Sequence, residues 1–434
     1  TFRTRQSVLG DIIHATPAFV SKPALSWPTL EGTTNKFGIP TNRYSDYKTL
    51  KANRTKALYA VANDGMLHAF RTEDDSSLST PNNKAGDELF AFMPSFIFSD
   101  QTKEGYHYLA QPSYSHKYYL DLSPTFSDIY GKVKDTSQTN FKTATADWHT
   151  ILIGGSRGGE KKGIFAIDVT DPLTITESNS ADKILWEFTS SDDADLGFTH
   201  SKPTIAMTNA IDADGLYRCA AIFGNGYQSD GTGTLPTGAS CHAILFVVFL
   251  DGGLDGTWTL GTNPSTADYM KIDTKVGTAT AGSCNGLSTP ALYDTDGDRV
   301  LDRVYAGDLQ GNMWAFDLSS TSAAQWKVAY KSGSTPNPLF TAINASSAVQ
   351  AIPTKPVVAK HRTEGDTGNG SNIMVYFGTG QYITNADKTT TATQTFYGVW
   401  DKGTKNVLRA NLTGQTFQSG FPADVRVSTD TAVD

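Results

Sequence analysis

The chain has 434 residues, a formal net charge of −8 at pH 7, 11% aromatic residues and 39 glycines, while only 18% of its residues are charged. This composition is typical of a β-rich, turn-rich protein rather than a helical or disordered one. The net negative charge argues against the basic surface that nucleic-acid binding requires. No apolar run approaches the roughly 20 residues of a membrane-spanning helix. The chain begins TFRTRQ, without Met or a signal sequence, and is therefore interpreted as a fragment or mature piece of a larger protein.

A unit of three strands recurs along the chain. Each unit opens with a proline, usually after a small polar residue, and a short apolar strand follows. Proline is tolerated there because the first residue of a strand need not donate to the ladder. A second apolar strand ends in a small or Gly-rich turn, and a third strand follows it. The openings lie at Pro17, Pro112, Pro203, Pro290 and Pro356. The second strands are predicted at residues 57–65, 150–159, 219–226, 303–311 and 373–380, and the third at 66–70, 163–168, 243–251, 312–317 and 396–401.

These units predict an all-β fold, a modified and irregular β-propeller in which each unit is one blade. Weaker fourth strands, over residues 183–188 and 325–330, complete two of the blades. A ring of blades leaves only short, protected strand edges. A pair of β-sandwiches and a parallel β-helix are the alternatives, and the long irregular insertions argue against the helix. We expect a single propeller domain over residues 1–434, with five visible blades.

The three cysteines are Cys219, Cys241 and Cys284. In a blade, the loop between the second and third strands lies on the same face as the loop that leads to the next blade. Cys241 closes the first kind of loop and Cys284 lies in the second kind, so both are expected on one face of adjoining blades. We predict a Cys241–Cys284 disulfide with Cys219 as the remaining thiol. Three reduced thiols are the alternative.

An aspartate-rich loop separates the first two strands of the fourth unit. Its carboxylates repel one another unless a hard cation with oxygen ligands neutralises them, and calcium fits this requirement best. Arg299 and Tyr305 depart from an EF-hand, which has Gly at position 6 and Glu at position 12. A solvated acidic turn is the alternative. The predicted ligands match positions 1, 3, 5, 7 (a backbone carbonyl) and 9 of an EF-hand loop, and they are Asp294, Asp296, Asp298, Val300 and Asp302.

Other polar segments give weaker signals. Residues 212–215 occupy the equivalent loop of the preceding unit with two carboxylates and are expected to form an ordinary turn, and the run 192–195 is expected to lie in solvent. His14 and His200 share one repeat phase, so a repeated structural hydrogen bond is preferred to a transition-metal site. We find no nucleophile elbow, zinc-binding helix or phosphate loop.

Two segments resemble the blade repeat of quinoprotein dehydrogenases: residues 163–168 with Trp186, and residues 311–317 with Trp326. This resemblance implies a propeller. The adjacent-cysteine pair of many such enzymes is missing, and no acid–base set can be assigned. A quinoprotein-like oxidoreductase is therefore kept as an alternative function, and we do not expect an enzyme.

A second resemblance covers more of the chain. Residues 8–17, 58–70, 87–94 and 288–317, taken together, resemble the C-terminal domain of the PilC/PilY family of type IV pilus-associated biogenesis factors and adhesins. The resemblance implies a seven-bladed propeller, so two further blades would be degenerate or hidden in the insertions 21–56 and 71–110. It also implies calcium at the five predicted ligands of the aspartate-rich loop.

The family resemblance implies that the chain is a C-terminal fragment of a larger surface protein. It implies a function at the bacterial cell surface, on the outer membrane or the pilus, reached through the periplasm. It implies support of pilus extension against retraction and adherence to host cells. The implied partners are type IV pilus components, either pilin or minor pilins, and a host-cell surface receptor. The sequence has no Arg-Gly-Asp motif, so integrin binding is not supported. A third hypothesis is a secreted propeller scaffold in which calcium is purely structural.

Overall fold

The computed structural model describes residues 2–415, except 6, 26, 28–42, 78–82, 144, 159–160, 228–236, 281–282, 362–371 and 384. Within these ranges, strands account for most of the regular structure, and they form five sheets of three to five strands and one small hairpin. Each sheet corresponds to one of the five predicted units. The all-β fold is therefore confirmed.

The first sheet has the strand order β1–β2–β3–β4, and all of its neighbours are antiparallel. Its strands are β1 (Ala18–Val20), β2 (Ala57–Val61), β3 (Leu67–Arg71) and β4 (Glu88–Phe92). Helix α1 (Arg43–Leu50) lies in the first long insertion, and helix α2 (Gly105–Leu109) follows β4. The described residues of the insertions 21–56 and 71–110 thus add α1, α2 and the fourth strand of this sheet, but no further blade.

The second sheet has the order β5–β6–β7–β8. Its strands are β5 (Leu122–Gly131), β6 (Asp147–Gly155), β7 (Gly163–Asp168) and β8 (Ile184–Thr189), with helix α3 (Ser180–Lys183) just before β8. The prediction that Pro112 opens this unit is wrong, because the first strand contains Pro124 instead. Pairing between β5 and β6 shifts register between Leu122 and Thr125. This is where the missing N–H of Pro124 interrupts the ladder.

The third and fourth sheets are joined through a short strand. The third contains β9 (Thr204–Ile211), β10 (Tyr217–Gly224), β11 (Ile244–Phe249) and β12 (Tyr269–Asp273). The fourth contains β13 (Ala291–Tyr293), β15 (Arg303–Gly307), β16 (Asn312–Asp317), β17 (Lys327–Val328) and β20 (Phe340–Thr341). Between β13 and β15, strand β14 (Val300–Leu301) pairs in parallel with β9, so the fourth unit adds an edge to the third sheet.

The fifth sheet has three strands, β21 (Val357–Lys360), β22 (Ile373–Gly378) and β23 (Phe396–Asp401). A hairpin of β18 (Tyr330–Ser332) and β19 (Thr335–Asn337) lies between the fourth and fifth sheets in the chain. Short 3₁₀ turns complete the regular structure at Ser95–Ile97, Pro172–Thr174, Glu177–Asn179, Ala323–Gln325, Asn385–Thr389 and Arg409–Asn411.

The sheets pack face to face in chain order, like the blades of a propeller. Successive residues of a strand point to opposite faces, so Phe246 and Val248 of β11 pack toward the second sheet while Val247 packs toward the fourth. Similar apolar clusters join the first sheet to the second and the fourth to the fifth. Among the described residues, the hydrophobic clusters do not join the fifth sheet to the first, and a count of seven blades stays a prediction.

The cysteine prediction is confirmed. Cys241 and Cys284 form a disulfide across 43 residues of sequence, and Cys219 is a buried free thiol on β10. Burial raises the pKa of the Cys219 thiol to about 12, so this thiol stays protonated at neutral pH. The disulfide joins the segment before β11 to the segment that leads into β13. It therefore ties the third sheet to the fourth.

Candidate metal centre

The aspartate loop, residues 294–302, connects β13 to β15 and is shaped by its own carboxylates. Asp294 accepts hydrogen bonds from the backbone N–H of Gly297 at 2.7 Å and of Arg299 at 2.6 Å. Asp298 accepts from the N–H of Val300 at 2.7 Å. Gly297 and Arg299 both have positive φ, 83° and 73°. Arg299 therefore adopts a left-handed conformation, rare outside glycine, at the place where an EF-hand has its glycine.

Three of the carboxylates converge. Asp294, Asp296 and Asp302 each offer one oxygen, and these oxygens lie within 4.8 Å of one another. Oxygens that are each 2.3–2.6 Å from one calcium ion lie at most about 5 Å apart, so this group has the dimensions of a calcium site. Asp294 and Asp302 are half-buried and Asp296 is exposed, which leaves the group open to an ion from solvent.

The remaining two predicted ligands, Asp298 and the backbone carbonyl of Val300, stay predictions. The Asp298 carboxylate is outside the group of three and supports the turn through the Val300 amide. Val300 itself is buried in β14 opposite Met207. Tyr305 cannot supply the last EF-hand ligand because it is fully buried and donates its hydroxyl to Asp401 at 2.7 Å. The likeness to an EF-hand loop is therefore limited to the first nine positions.

Asp302 links the loop to the third sheet. Its Oδ2 accepts from the amide of Thr295 at 2.8 Å and from the Thr295 hydroxyl at 2.6 Å. Its Oδ1 lies 3.3 Å from Nδ2 of Asn209, a buried residue of β9. The same Nδ2 donates to the carbonyls of Leu301 and Leu318 at 3.0 and 3.1 Å. Thr295 and Asn209 were not among the predicted site residues. An amide side chain inside an apolar strand was the one sequence signal for Asn209.

The carboxylates of the two other acidic segments, residues 212–215 and 192–195, have partners of different kinds. In the turn between β9 and β10, Asp212 accepts from the amides of Asp214 and Leu216 at 2.9 and 2.8 Å, as expected for an ordinary turn. The prediction that the run 192–195 lies in solvent is correct for Asp192 and wrong for Asp193 and Asp195, which are buried. We call these two residues the internal acid pair.

Lys271 of β12 neutralises the internal acid pair. Its ammonium nitrogen lies 2.9 Å from Asp193 and 2.8 Å from Asp195. The hydroxyl of Tyr269 also donates to Asp193 at 2.9 Å. Of the repeat histidines, His14 contacts Asp121 at 2.5 Å, and within the described ranges only the aspartate loop brings three potential ligands together.

The fold and the loop define a β-propeller with a candidate cation site in the inner hairpin of its fourth blade. The description of the family model that matches residues 9–421 is the PilY1 beta-propeller domain. The chain belongs to this family.

Relatives carry the same family name. The chain is 34% identical to a type IV pilus biogenesis factor PilY1 homolog of Xylella fastidiosa, covering 100% of this chain and 25% of the relative. It is also 34% identical to the type IV pilus biogenesis factor PilY1 of Pseudomonas aeruginosa, covering 96% of this chain and 31% of that protein. The chain therefore spans about a quarter to a third of these relatives. The crystal structure of the P. aeruginosa PilY1 C-terminal domain matches with a TM-score of 0.63 and 30% identity, over 96% of this chain and 74% of that one.

The relatives are pilus biogenesis factors and do not belong to a known enzyme family. Among the described residues, no helix has the length and apolarity needed to span a bilayer.

Proposed function

We propose that this chain is the calcium-binding propeller of a type IV pilus biogenesis factor. The observation that carries the proposal is the convergence of Asp294, Asp296 and Asp302 to within 4.8 Å on a loop that also contacts the preceding sheet. Calcium prefers carboxylate and carbonyl oxygens. Asp298 and the Val300 carbonyl are the further ligands that the loop can bring to the ion.

The contacts of the loop favour a bracing role for the ion. Asp302 is a candidate ligand and also a hydrogen-bond acceptor for Asn209 of β9. Two residues earlier, Val300 begins β14, which pairs with the same strand. An ion that fixes Asp302 would therefore hold the inner edges of the third and fourth sheets together. A switch in which calcium changes the shape of this edge is the second form of the same hypothesis.

In the cell, the proposed role is support of pilus extension against retraction and adherence to host cells, with pilin or minor pilins and a host-cell receptor as partners. The proposed place is the cell surface, on the outer membrane or the pilus. The name of the relatives, type IV pilus biogenesis factor, supports the pilus part of this proposal. The proposal is non-enzymatic.

Calorimetry on chelator-treated protein tests the metal site. Calcium should bind with a stoichiometry of one, and Asp302→Asn should abolish or strongly weaken that binding because it removes one carboxylate charge from the group. Asp214→Asn is the matched control, since Asp214 is an exposed aspartate in the equivalent turn of the third sheet and pairs with Lys132. The site assignment fails if the parent does not bind calcium or if Asp302→Asn binds it as tightly.

Piliation of cells that carry Asp302→Asn in the full-length protein tests the cellular role. Loss of surface pili and of twitching, with normal protein amount and melting temperature, would support a calcium switch. Loss of pili together with a lower melting temperature would support a brace. Normal piliation by a variant that no longer binds calcium would contradict the role of the ion while leaving the metal site itself intact.

A further inference from the structure

His68 lies on β3 with carboxylates on both sides of its ring. Its Nδ1 is 2.5 Å from Oε1 of Glu88 on β4, and its Nε2 is 3.1 Å and 3.2 Å from the two carboxylate oxygens of Asp64 in the turn between β2 and β3. An ionised carboxylate only accepts hydrogen bonds, and a neutral imidazole carries a single N–H. Both contacts are therefore satisfied together only when His68 is an imidazolium.

The two carboxylates differ in how firmly they are held. The Asp64 side chain is 1% exposed, and it also accepts from the backbone N–H of Gly10 at 2.6 Å and of Met66 at 3.2 Å. The Glu88 side chain is 45% exposed, so water can hydrate it when it turns away from the ring. A buried carboxylate that loses a donor costs far more than an exposed one. When His68 loses one proton, the remaining N–H therefore stays with Asp64, and Glu88 is released.

The fourth sheet has a donor that does not titrate at the equivalent position. His68 is opposite Ala60 in the β2–β3 pair, and Trp314 is opposite Ala306 in the β15–β16 pair. The indole Nε1–H of Trp314 donates to the turn carboxylate of Asp308 at 2.8 Å. An indole is a donor only, with one N–H. The imidazole in the first sheet thus provides a second N–H, and this N–H can be lost.

The charged groups that face His68 come from two elements, Asp64 from the turn and Glu88 from β4, while the ring of Phe70 stacks beside it on its own strand. Burial alone would lower the pKa of His68, but the hydrogen bonds to these carboxylates raise it above its ordinary value. The resulting stability is complete below the unfolded-state pKa of about 6.5, and it is lost as pH rises through the folded-state pKa. Burial alone would raise the pKa of Asp64, but hydrogen bonds from His68 and Gly10 lower it, so Asp64 stays ionised over the same range.

We propose that His68 is a pH-dependent clamp on β4, the outer strand of the first sheet. As an imidazolium it holds Glu88, the first residue of β4, against β3, and as a neutral imidazole it keeps Asp64 and releases Glu88. Strand β4 responds because none of its residues is fully buried and because its pairing with β3 shifts register between Ala69 and Phe70, next to Glu88. The clamp is independent of calcium and of the proposed pilus function.

Histidine titration by NMR tests the protonation state. The protein is labelled with ¹³C at Cε1 of histidine, and the His68 resonance is the one that is absent in His68→Gln. In the parent, His68 should keep its proton to a higher pH than in Glu88→Gln, because that variant removes one of the two carboxylates. His242 is the internal control, since it contacts Asp273 at 3.0 Å in the third sheet and should titrate identically in both proteins.

Hydrogen exchange of β4 tests the clamp itself. Amide protection of residues 88–92 is measured at pH 6 and pH 9 and corrected for the intrinsic pH dependence of exchange. In the parent it should fall about fivefold, the size expected for a partly exposed ion pair, and in Glu88→Gln it should be the same at both pH values. The matched strand is β8, whose Glu187 accepts from the amide and hydroxyl of Ser95 at 2.7 and 2.5 Å, so its protection should not change.

Three results would overturn the proposal. One is a parent in which β4 is equally protected at pH 6 and pH 9, and another is a pH-dependent loss of the same size in Glu88→Gln. The third is a His68 that titrates at the same pH in the parent and in Glu88→Gln, because Glu88 would then not contact the imidazolium. Since the Glu88 side chain is 45% exposed, the exchange experiment tests the clamp even if His68→Gln does not fold.

Discussion

The aspartate loop and the internal acid pair both bring carboxylates close together, but they differ in what can compensate the negative charge. Asp193 and Asp195 are buried together, and the chain itself supplies Lys271 at 2.9 and 2.8 Å to neutralise them. In the aspartate loop, Asp294, Asp296 and Asp302 converge to within 4.8 Å at the surface, where Asp294 accepts from the amides of Gly297 and Arg299 and Asp302 accepts from Thr295. Buried acids need a counter-ion that is part of the fold, whereas surface acids can take one from solvent.

The largest effect is expected at the internal acid pair. Lys271→Met should lower the free energy of unfolding by about 3–5 kcal/mol, because removing one partner leaves buried carboxylates without a counter-ion. Urea unfolding measures this change. Lys275→Met is the control, because the Lys275 side chain is 65% exposed and pairs with Asp273. This substitution should lower the free energy of unfolding by about 0–1 kcal/mol. Equal effects of the two variants would show that the acid pair is not specially dependent on Lys271.

Calcium removal should have the next largest effect, and it should be confined to the aspartate loop. At a free calcium concentration of 100 times the dissociation constant, binding to the folded state should add about 2.7 kcal/mol to the free energy of unfolding. Asp302→Asn should lose this increment, and Lys271→Met should keep it. Unfolding of each variant with calcium and with chelator provides the comparison. If calcium still raised the free energy of unfolding of Asp302→Asn by this amount, the aspartate loop would not be the source of the calcium effect.

A smaller effect is expected where the loop meets the third sheet. Asn209→Ala should lower the free energy of unfolding by about 1–3 kcal/mol, because the buried carbonyls of Leu301 and Leu318 lose their donor. It should also weaken calcium binding, since Asp302 loses a positioning contact. Asn337→Ala, in the β18–β19 hairpin, should leave calcium affinity unchanged. Unaltered calcium affinity in Asn209→Ala would argue that the loop binds its ion without support from β9.

The smallest effect concerns pH. Burial alone would raise the pKa of Asp195, but hydrogen bonds from Lys271 and Ser240 hold it below its ordinary value. A lowered pKa stabilises the fold at neutral pH, and this contribution is lost as pH falls through the folded-state pKa. In Lys271→Met, burial should raise the carboxyl pKa, so that protonation relieves the defect. The stability difference between Lys271→Met and the parent should therefore shrink by about 1 kcal/mol between pH 7 and pH 4, since one pKa unit is worth about 1.4 kcal/mol.

Urea unfolding at pH 7, 5 and 4 measures this difference. Lys275→Met should show a smaller change of the same sign, because the Lys275 amide and His242 still contact Asp273 and hold its pKa below the ordinary value. A Lys271→Met defect that grows on acidification would reverse the expected sign and would contradict the role of Lys271 as counter-ion.

Periodicity located the strands well where the pattern was strong. The third strands of the second, fourth and fifth units were predicted at residues 163–168, 312–317 and 396–401, and the structure has Gly163–Asp168, Asn312–Asp317 and Phe396–Asp401. The opening of the second unit was misplaced because Tyr119 and Leu120 imitate the apolar start of a strand. Both are buried, but in an irregular segment before β5. Buried positions in irregular segments are also apolar, so an apolar run does not by itself indicate a strand.

The sequence by itself determined the blade units, the Cys241–Cys284 pairing and the spacing of the aspartates, because each depends on short repeats and on the order of loops along a blade. Only the tertiary structure decided which carboxylates converge, that β14 pairs with β9, and that Lys271 neutralises Asp195 across 76 residues of sequence. It also brought Lys202 beside Thr289 across 87 residues. Such partners are set by how neighbouring sheets stack, and no local pattern in the chain records that arrangement.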